Sequence, residues 1–335
     1  MKTSGAASLL RQLLPALLGF LLATPLSAAP PAATRPNDIP QYQALPLERS
    51  HQNHLLLRAH INGKPALLGV DTGASVSAIA LDRRKHFGLA PLPGGSDLPP
   101  QLRINGGFNG LAIAHHLRLG ALILVDEPMV AIDLNGPAPA AREFPEQQLD
   151  GLIGTDILFP TAAVLDCTQQ VLYMKVDPDA RDPIPGIDHR GWTGVPLHLT
   201  ATWNLFVHNN FSGARGQLLI DTGAFMTLLD QGLVRRLRLP LHETPYSSAM
   251  VNLDVHDVQS AIIKRFTLGG LDLGVTTLGG FKVKSKEVGV IDLSDFIAGD
   301  LLQESPPVVG LLGMEFLRRH HGIIDFGAHR LYLKH

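Results

Sequence analysis

Cysteine is nearly missing from this chain: Cys167 stands alone among 335 residues, which excludes a disulfide framework and any cysteine-built metal site. A single thiol within the apolar-flanked run Val164-Leu165-Asp166-Cys167 reads as a buried, inert side chain. Charge of either sign is also scarce. Charged residues make up 17% and the formal net charge is −2, so the basic surface that drives nucleic-acid binding is absent. No His-Glu-x-x-His segment occurs, and the pairs His115-His116 and His320-His321 put neighbouring rings on opposite faces of a strand, so neither a metal nor an organic cofactor is expected. Long stretches with helical periodicity are lacking as well.

What is present is a hydrophobic content of 45%, enough for a sizeable core, punctuated by 33 glycines and 25 prolines. Such frequent breakers favour short strands joined by turns, and the length suggests about two domains. Lys2 and Arg11 precede an apolar run from Leu13 to Ala23, followed by the small residues Ser27, Ala28 and Ala29. That pattern predicts a signal peptide over 1–29, hence an exported protein, periplasmic or secreted. A Pro/Ala-rich lead-in over 30–46 follows, and no later segment is long and apolar enough to span a bilayer.

Sliding the chain along itself exposes a duplication. At offset 150, Val70-Asp71-Thr72-Gly73-Ala74 lies over Ile220-Asp221-Thr222-Gly223-Ala224. At offset 159, Gly151-Leu152-Ile153-Gly154 lies over Gly310-Leu311-Leu312-Gly313, Asp166 over Asp325, and Leu172-Tyr173 over Leu331-Tyr332. The change of offset puts about ten extra residues in the second copy, within 275–290. Lobes are thus expected at 47–178 and 190–335, joined by a Pro- and Asp-rich linker over 179–189. Leu55 to Ile61, Asn62-Gly63 and Ala66 to Val70 predict a hairpin running straight into Asp71. Short helices are expected at Leu81–Phe87 and Gly232–Leu237.

One Asp-Thr-Gly after an apolar strand is ordinary turn chemistry: glycine permits the tight turn and threonine offers a hydroxyl to the backbone. Two of them, at equivalent places in duplicated lobes, let the carboxylates of Asp71 and Asp221 meet across a two-fold axis. Carboxylates that share a site cannot both ionise easily, so the pair offers an acid and a base together.

With these runs in view, the sequence resembles the retropepsin-like aspartic peptidases, in a tandem two-lobe, bacterial-type form arranged like pepsin, over residues 50–335. The resemblance implies a mainly β fold of two homologous closed-barrel lobes. It implies Asp71 and Asp221 as catalytic residues, supported by Thr72, Gly73, Ala74, Thr222, Gly223 and Ala224, with Leu152-Ile153-Gly154 and Leu311-Leu312-Gly313 as the psi-shaped elements packed on the catalytic loops. A glycine-rich flap is expected around Gly106, Gly107, Phe108 and Gly110, with Met250 to Val258 at the matching place in the second lobe. The implied activity is endopeptidase cleavage of an extended peptide or protein substrate by a monomer, without cofactor; the alternative is a non-catalytic peptide-binding protein of the same fold. Alanine at both 74 and 224, where pepsin-like chains carry a hydroxyl, predicts a pH optimum of about 4.5–7.

Overall fold

The computed structural model describes residues 42–91, 110–132, 134, 148–177, 190–200, 203–211, 214–243, 248–250, 253–255, 259–263, 267–268, 271–272, 286–293 and 306–334. The leader, the linker and the candidate flap residues Gly106, Gly107 and Phe108 lie outside them. In the first copy the strands are β1 (Tyr42–Arg49), β2 (Leu55–Ile61), β3 (Lys64–Val70), β4 (Ala78–Ala80), β5 (Ala90–Pro91), β6 (Leu111–Leu119), β7 (Leu122–Ile132), β8 (Gly151–Ile153), β9 (Val164–Asp166) and β10 (Val171–Lys175). Helix α1 (Thr155–Leu158) follows β8.

The predicted hairpin is β2–β3. Asn62 and Gly63 both take positive φ, 48° and 80°, the requirement of a two-residue turn that matches strand twist. From β3 the ladder runs to β8, β4, β7 and β6, and β6 returns to β2 through His60–Arg118 and Ile61–Leu117, closing a six-stranded barrel. Leu57, Ile61, Leu68, Leu117 and Met129 fill the core at 0–1% exposure. Burying each such side chain contributes about 1.5–3 kcal/mol.

The second copy contains β11 (Thr193–Pro196), β12 (His198–Leu199), β13 (Leu205–Phe211), β14 (Ala214–Ile220), β15 (Leu228–Asp230), β16 (Leu241–Glu243), β17 (Ser248–Met250), β18 (Leu253–Val255), β19 (Gln259–Ile263), β20 (Thr267–Leu268), β21 (Leu271–Asp272), β22 (Lys286–Ile291), β23 (Val308–Leu312), β24 (Ile323–Asp325) and β25 (Arg330–Leu333). Its helices are α2 (Gln231–Arg236) and α3 (Met314–Arg319). The pairing repeats the first copy: Pro91–Ala112 becomes Leu241–Ala261, and Glu48–Leu56 becomes His198–Phe206. Where the first copy runs one long β7, the second has β21 and β22 with 273–285 between them. The extra residues therefore fall within 273–285, overlapping the expected 275–290, because Lys286–Ile291 is already strand β22.

Strands from both copies share one antiparallel sheet in the order β11-β25-β24-β9-β10-β1. Its centre is the pair Leu165–Ile324, both 0% exposed, flanked by Asp166–Ile323 and Val164–Asp325. Since Leu165 and Ile324 are themselves the repeat equivalents, a local two-fold axis passes between them. Tyr42–Pro46, expected in the lead-in, pair with β10 instead. Leu45 faces the core at 6% exposure, and this burial outweighs the local proline content.

The two predicted short helices differ for a local reason. Asp230 caps α2 by accepting from the Leu233 N–H at 3.2 Å. Its counterpart Ala80 has no cap to offer, and the first copy forms only a 3-10 turn over Leu81–Arg83. Cys167 is fully buried, as expected, and burial pushes its thiol pKa well up. Among the described residues, no helix is long and apolar enough to cross a membrane, and no group of three or more His, Cys, Asp or Glu is placed to hold a metal ion.

Candidate active site

Asp71 follows the last residue of β3, and Asp221 follows the last residue of β14. In each copy the hydrophobic-hydrophobic-Gly strand threads between the two strands that flank the Asp-Thr-Gly loop. β8 runs parallel to β3 and antiparallel to β4; β23 does the same between β14 and β15. This placement catches both ends of each loop. The Asp71 N–H donates to Ile153 O at 3.0 Å and the Asp221 N–H to Leu312 O at 3.1 Å. On the far side, the Thr155 N–H donates to Ala74 O at 2.9 Å and the Met314 N–H to Ala224 O at 2.8 Å. The glycines of this strand are required by close approach: a Cβ on Gly151 would lie 2.3 Å from Ala78 O, and one on Gly310 2.3 Å from Leu228 O.

The two loops are cross-linked by their threonines. Thr72 Oγ1 donates to Ile220 O and Thr222 Oγ1 to Val70 O, both at 2.7 Å. Each hydroxyl also accepts the other threonine's N–H, at 3.0 and 3.1 Å. Both side chains are fully buried.

This bracing sets each carboxyl against the opposite loop's glycine, close enough for Asp71 and Asp221 to act on one another's ionisation. Asp71 Oδ1 accepts from the Gly73 N–H at 2.8 Å; Asp221 Oδ1 accepts from Gly223 at 2.8 Å and Ala224 at 3.0 Å. Across the axis, a Cβ on Gly73 would meet the Asp221 carboxyl at 2.6 Å, and one on Gly223 the Asp71 carboxyl at 2.6 Å. Only glycine leaves room for the opposite lobe's acid.

Burial pushes both carboxyls above the usual range. The charge of Asp71 adds to burial in raising Asp221. Two acids in this position cannot both ionise easily, so the pair shares one proton.

Sequence reasoning missed a second layer beneath each loop. Ser77 Oγ accepts from the Gly154 N–H at 2.9 Å and donates to Asp156 Oδ1 at 2.7 Å, while Asp156 Oδ2 accepts from the Ser77 N–H at 2.8 Å. The second copy repeats it, with the Gly313 N–H on Thr227 Oγ1 at 3.2 Å and the Thr227 N–H on Glu315 Oε2 at 2.7 Å. A signal was available: offset 150 lays Ser77 over Thr227, and offset 159 lays Asp156 over Glu315.

Of the candidate flap, Gly110 is described; it precedes β6 with φ 103°. At the matching place in the second copy the backbone forms the hairpin β17–β18, with Ser248 opposite Val255. The histidine pairs form no shared site; His115 Nδ1 instead meets Asp126 Oδ1 at 2.8 Å on the exposed surface.

Part of the second copy matches a known family model. Residues 207–316, which include the Asp221 loop and Gly310-Leu311-Leu312-Gly313, match the model of the aspartyl protease family. No curated protein matches the chain. Solved structures similar to it include the crystal structure of aspartic proteinase from Irpex lacteus, at 14% identity and a TM-score of 0.44, covering 88% of this chain and 97% of that one.

Proposed function

We propose that this protein is an aspartic endopeptidase whose single site is built by both copies, with Asp71 as the base and Asp221 as the acid. The observation that carries the reading is the pair of buried carboxyls facing one another across loops held by reciprocal threonine bonds from two repeats. A water held between the carboxyls loses a proton to ionised Asp71 as its oxygen bonds to the scissile carbonyl carbon. Asp221 gives its proton to the carbonyl oxygen, producing a neutral tetrahedral diol. The amide nitrogen then takes the proton from Asp71 while a diol hydroxyl gives its proton to Asp221; the C–N bond breaks, carboxylic acid and amine leave, and the one-proton dyad is restored. No acyl-enzyme forms and no cofactor takes part.

A peptide binder of the same fold has no use for two acids in contact. Removing such groups from water is costly, and the cost is opposed here by the three loop N–H groups that donate to the two carboxyls. The substrate lies extended, its backbone pairing with flap strands as an added strand, and the β17–β18 hairpin is the second-copy candidate for a flap. Both halves of the site reside in one chain, so the working unit is a monomer. The basic-apolar-small pattern of 1–29 favours an exported enzyme.

The experiment is digestion of a peptide library between pH 3 and 8, with new termini read by mass spectrometry. The reading predicts internal cuts with an optimum of about 4.5–7. Intact peptides at every pH, beside measurable peptide binding, would replace it with the binding reading.

A further inference from the structure

The two turns that precede β2 and β13 are copies of one another bond for bond. In the first, the Ser50 N–H donates to His54 O at 3.0 Å, the His54 N–H to Ser50 Oγ at 3.0 Å, and the Asn53 N–H to Ser50 O at 3.0 Å. In the second, the Thr200 N–H donates to Asn204 O at 3.0 Å, the Asn204 N–H to Thr200 Oγ1 at 3.1 Å, and the Trp203 N–H to Thr200 O at 3.1 Å. Asn53 and Trp203 share the same left-handed backbone, with φ of 70° and 64°.

Each turn delivers its last residue to the same place. The β2–β3 register sets Leu56 opposite Gly69, and continuing it by two residues sets His54 opposite Asp71. The β13–β14 register sets Phe206 opposite Leu219, and the same step sets Asn204 opposite Asp221. Two matching backbones thus carry an imidazole at one position and a neutral amide at its repeat equivalent.

We propose that His54 is a positioning residue for the shared proton: its cationic form holds Asp71 as the ionised member of the pair and so leaves the proton on Asp221. The proposal rests on the shared-proton reading of the dyad. Histidine is cationic in the acidic range where such a pair works, and a cation opposite a carboxylate favours the charged acid. The charge of His54 does act on Asp71 in the lowering direction, against burial. The other ionisable groups of this turn are differently engaged. His51 is exposed, and the Arg49 guanidinium is bound to Asn53 Oδ1 at 2.7 Å and to the Cys167 carbonyl at 2.5 Å. The threonine bonds are reciprocal and treat the two acids alike, so they do not choose which aspartate carries the proton. His54 makes it a property of the sequence.

The test is a pH titration of the full chain carrying ¹³Cγ-labelled aspartate, read by NMR, with Asp71→Asn used to assign the pair. His54→Asn copies a residue that the equivalent turn already accommodates, and His54→Gln serves as a second neutral variant. Either should raise the lower of the pair's two ionisations by about 0.5–1 unit. His54→Lys should restore the wild-type value, and Asn204→His should ease ionisation of Asp221. The acidic limb of kcat/KM should move upward in parallel in the neutral variants. Ionisations that coincide in wild type and His54→Asn, or a His54→Lys variant that titrates like His54→Asn, would overturn the proposal. The NMR reading does not depend on cleavage, so a chain that cuts no peptide would count against the peptidase reading alone.

Discussion

Thr72 and Thr222 hold each other across the two-fold axis: each N–H reaches the other's Oγ1, at 3.0 and 3.1 Å, and each hydroxyl donates to the strand that precedes the other loop. Neither residue has water available as a substitute partner. Thr72→Val or Thr222→Val therefore strands a buried N–H and a buried carbonyl together. The expected loss is on the order of 2–4 kcal/mol in urea unfolding, with peptidase activity reduced at least 100-fold. Serine at the same positions keeps the hydroxyl and should retain most of the stability; equal loss for serine and valine would contradict the hydrogen-bond account.

The space at Gly73 and Gly223 is committed to the opposite carboxyl. Gly73→Ala places its Cβ about 2.6 Å from Asp221, too close for the pair to keep its geometry. Activity should fall by two or more orders of magnitude while the far-ultraviolet circular dichroism stays that of the wild type. Near-normal kcat in this variant would mean that the two acids are not held in contact in solution.

Much of this arrangement was legible because a site made by two copies writes itself twice. The offsets 150 and 159 located both Asp-Thr-Gly loops, both psi-shaped strands and the extra residues between them. What stayed hidden depends on partners distant in sequence. Val164-Leu165-Asp166 reads as a short apolar strand, but nothing in it names Ile323–Asp325 as its neighbour across the axis. Ser77 and Asp156 are 79 positions apart and look like ordinary polar residues until the turn between β3 and β4 brings them together. Local chemistry set other limits: one aspartate, Asp230 in place of Ala80, decides between a helix and a 3-10 turn.

Glu127 makes stability depend on pH. Opposite fully buried Ala114 on the core side of β7, its carboxyl is pushed up to about 7 by burial and by the charge of Asp156. The folded state thus keeps a proton that the unfolded chain releases near 4.5. Stability contributed by this group is present at low pH, falls as pH rises through about 4.5–7, and levels off above that window. The second copy places Lys286 at the matching register, opposite Ile263. Glu127→Gln should flatten the decline and stabilise the protein at pH 7.5 by on the order of 1–3 kcal/mol, with little effect at pH 4.5. Urea midpoints at the two pH values check this, and parallel shifts at both would contradict it.

Cys167 should be chemically silent in the folded protein. With the thiol fully buried and its pKa pushed up by burial and by the charge of Asp166, iodoacetamide should label it only as fast as the chain unfolds. Labelling at a free-thiol rate in native buffer would show that the shared sheet opens far more readily than its packing implies.

The central claim is that Asp71 and Asp221 form one acid–base unit, and its most direct measurement is kcat/KM for Asp71→Asn, Asp221→Asn and the double variant on a peptide that the wild type cleaves. Asparagine keeps the shape of each side chain, so the fold should survive, confirmed by unchanged near-ultraviolet circular dichroism. Each single variant should lose at least 10³-fold in kcat/KM, and the double variant should lose little more than either, because half of a shared unit is as ineffective as none. Single variants that keep substantial activity, or losses that simply multiply in the double variant, would show that the two acids work separately or not at all.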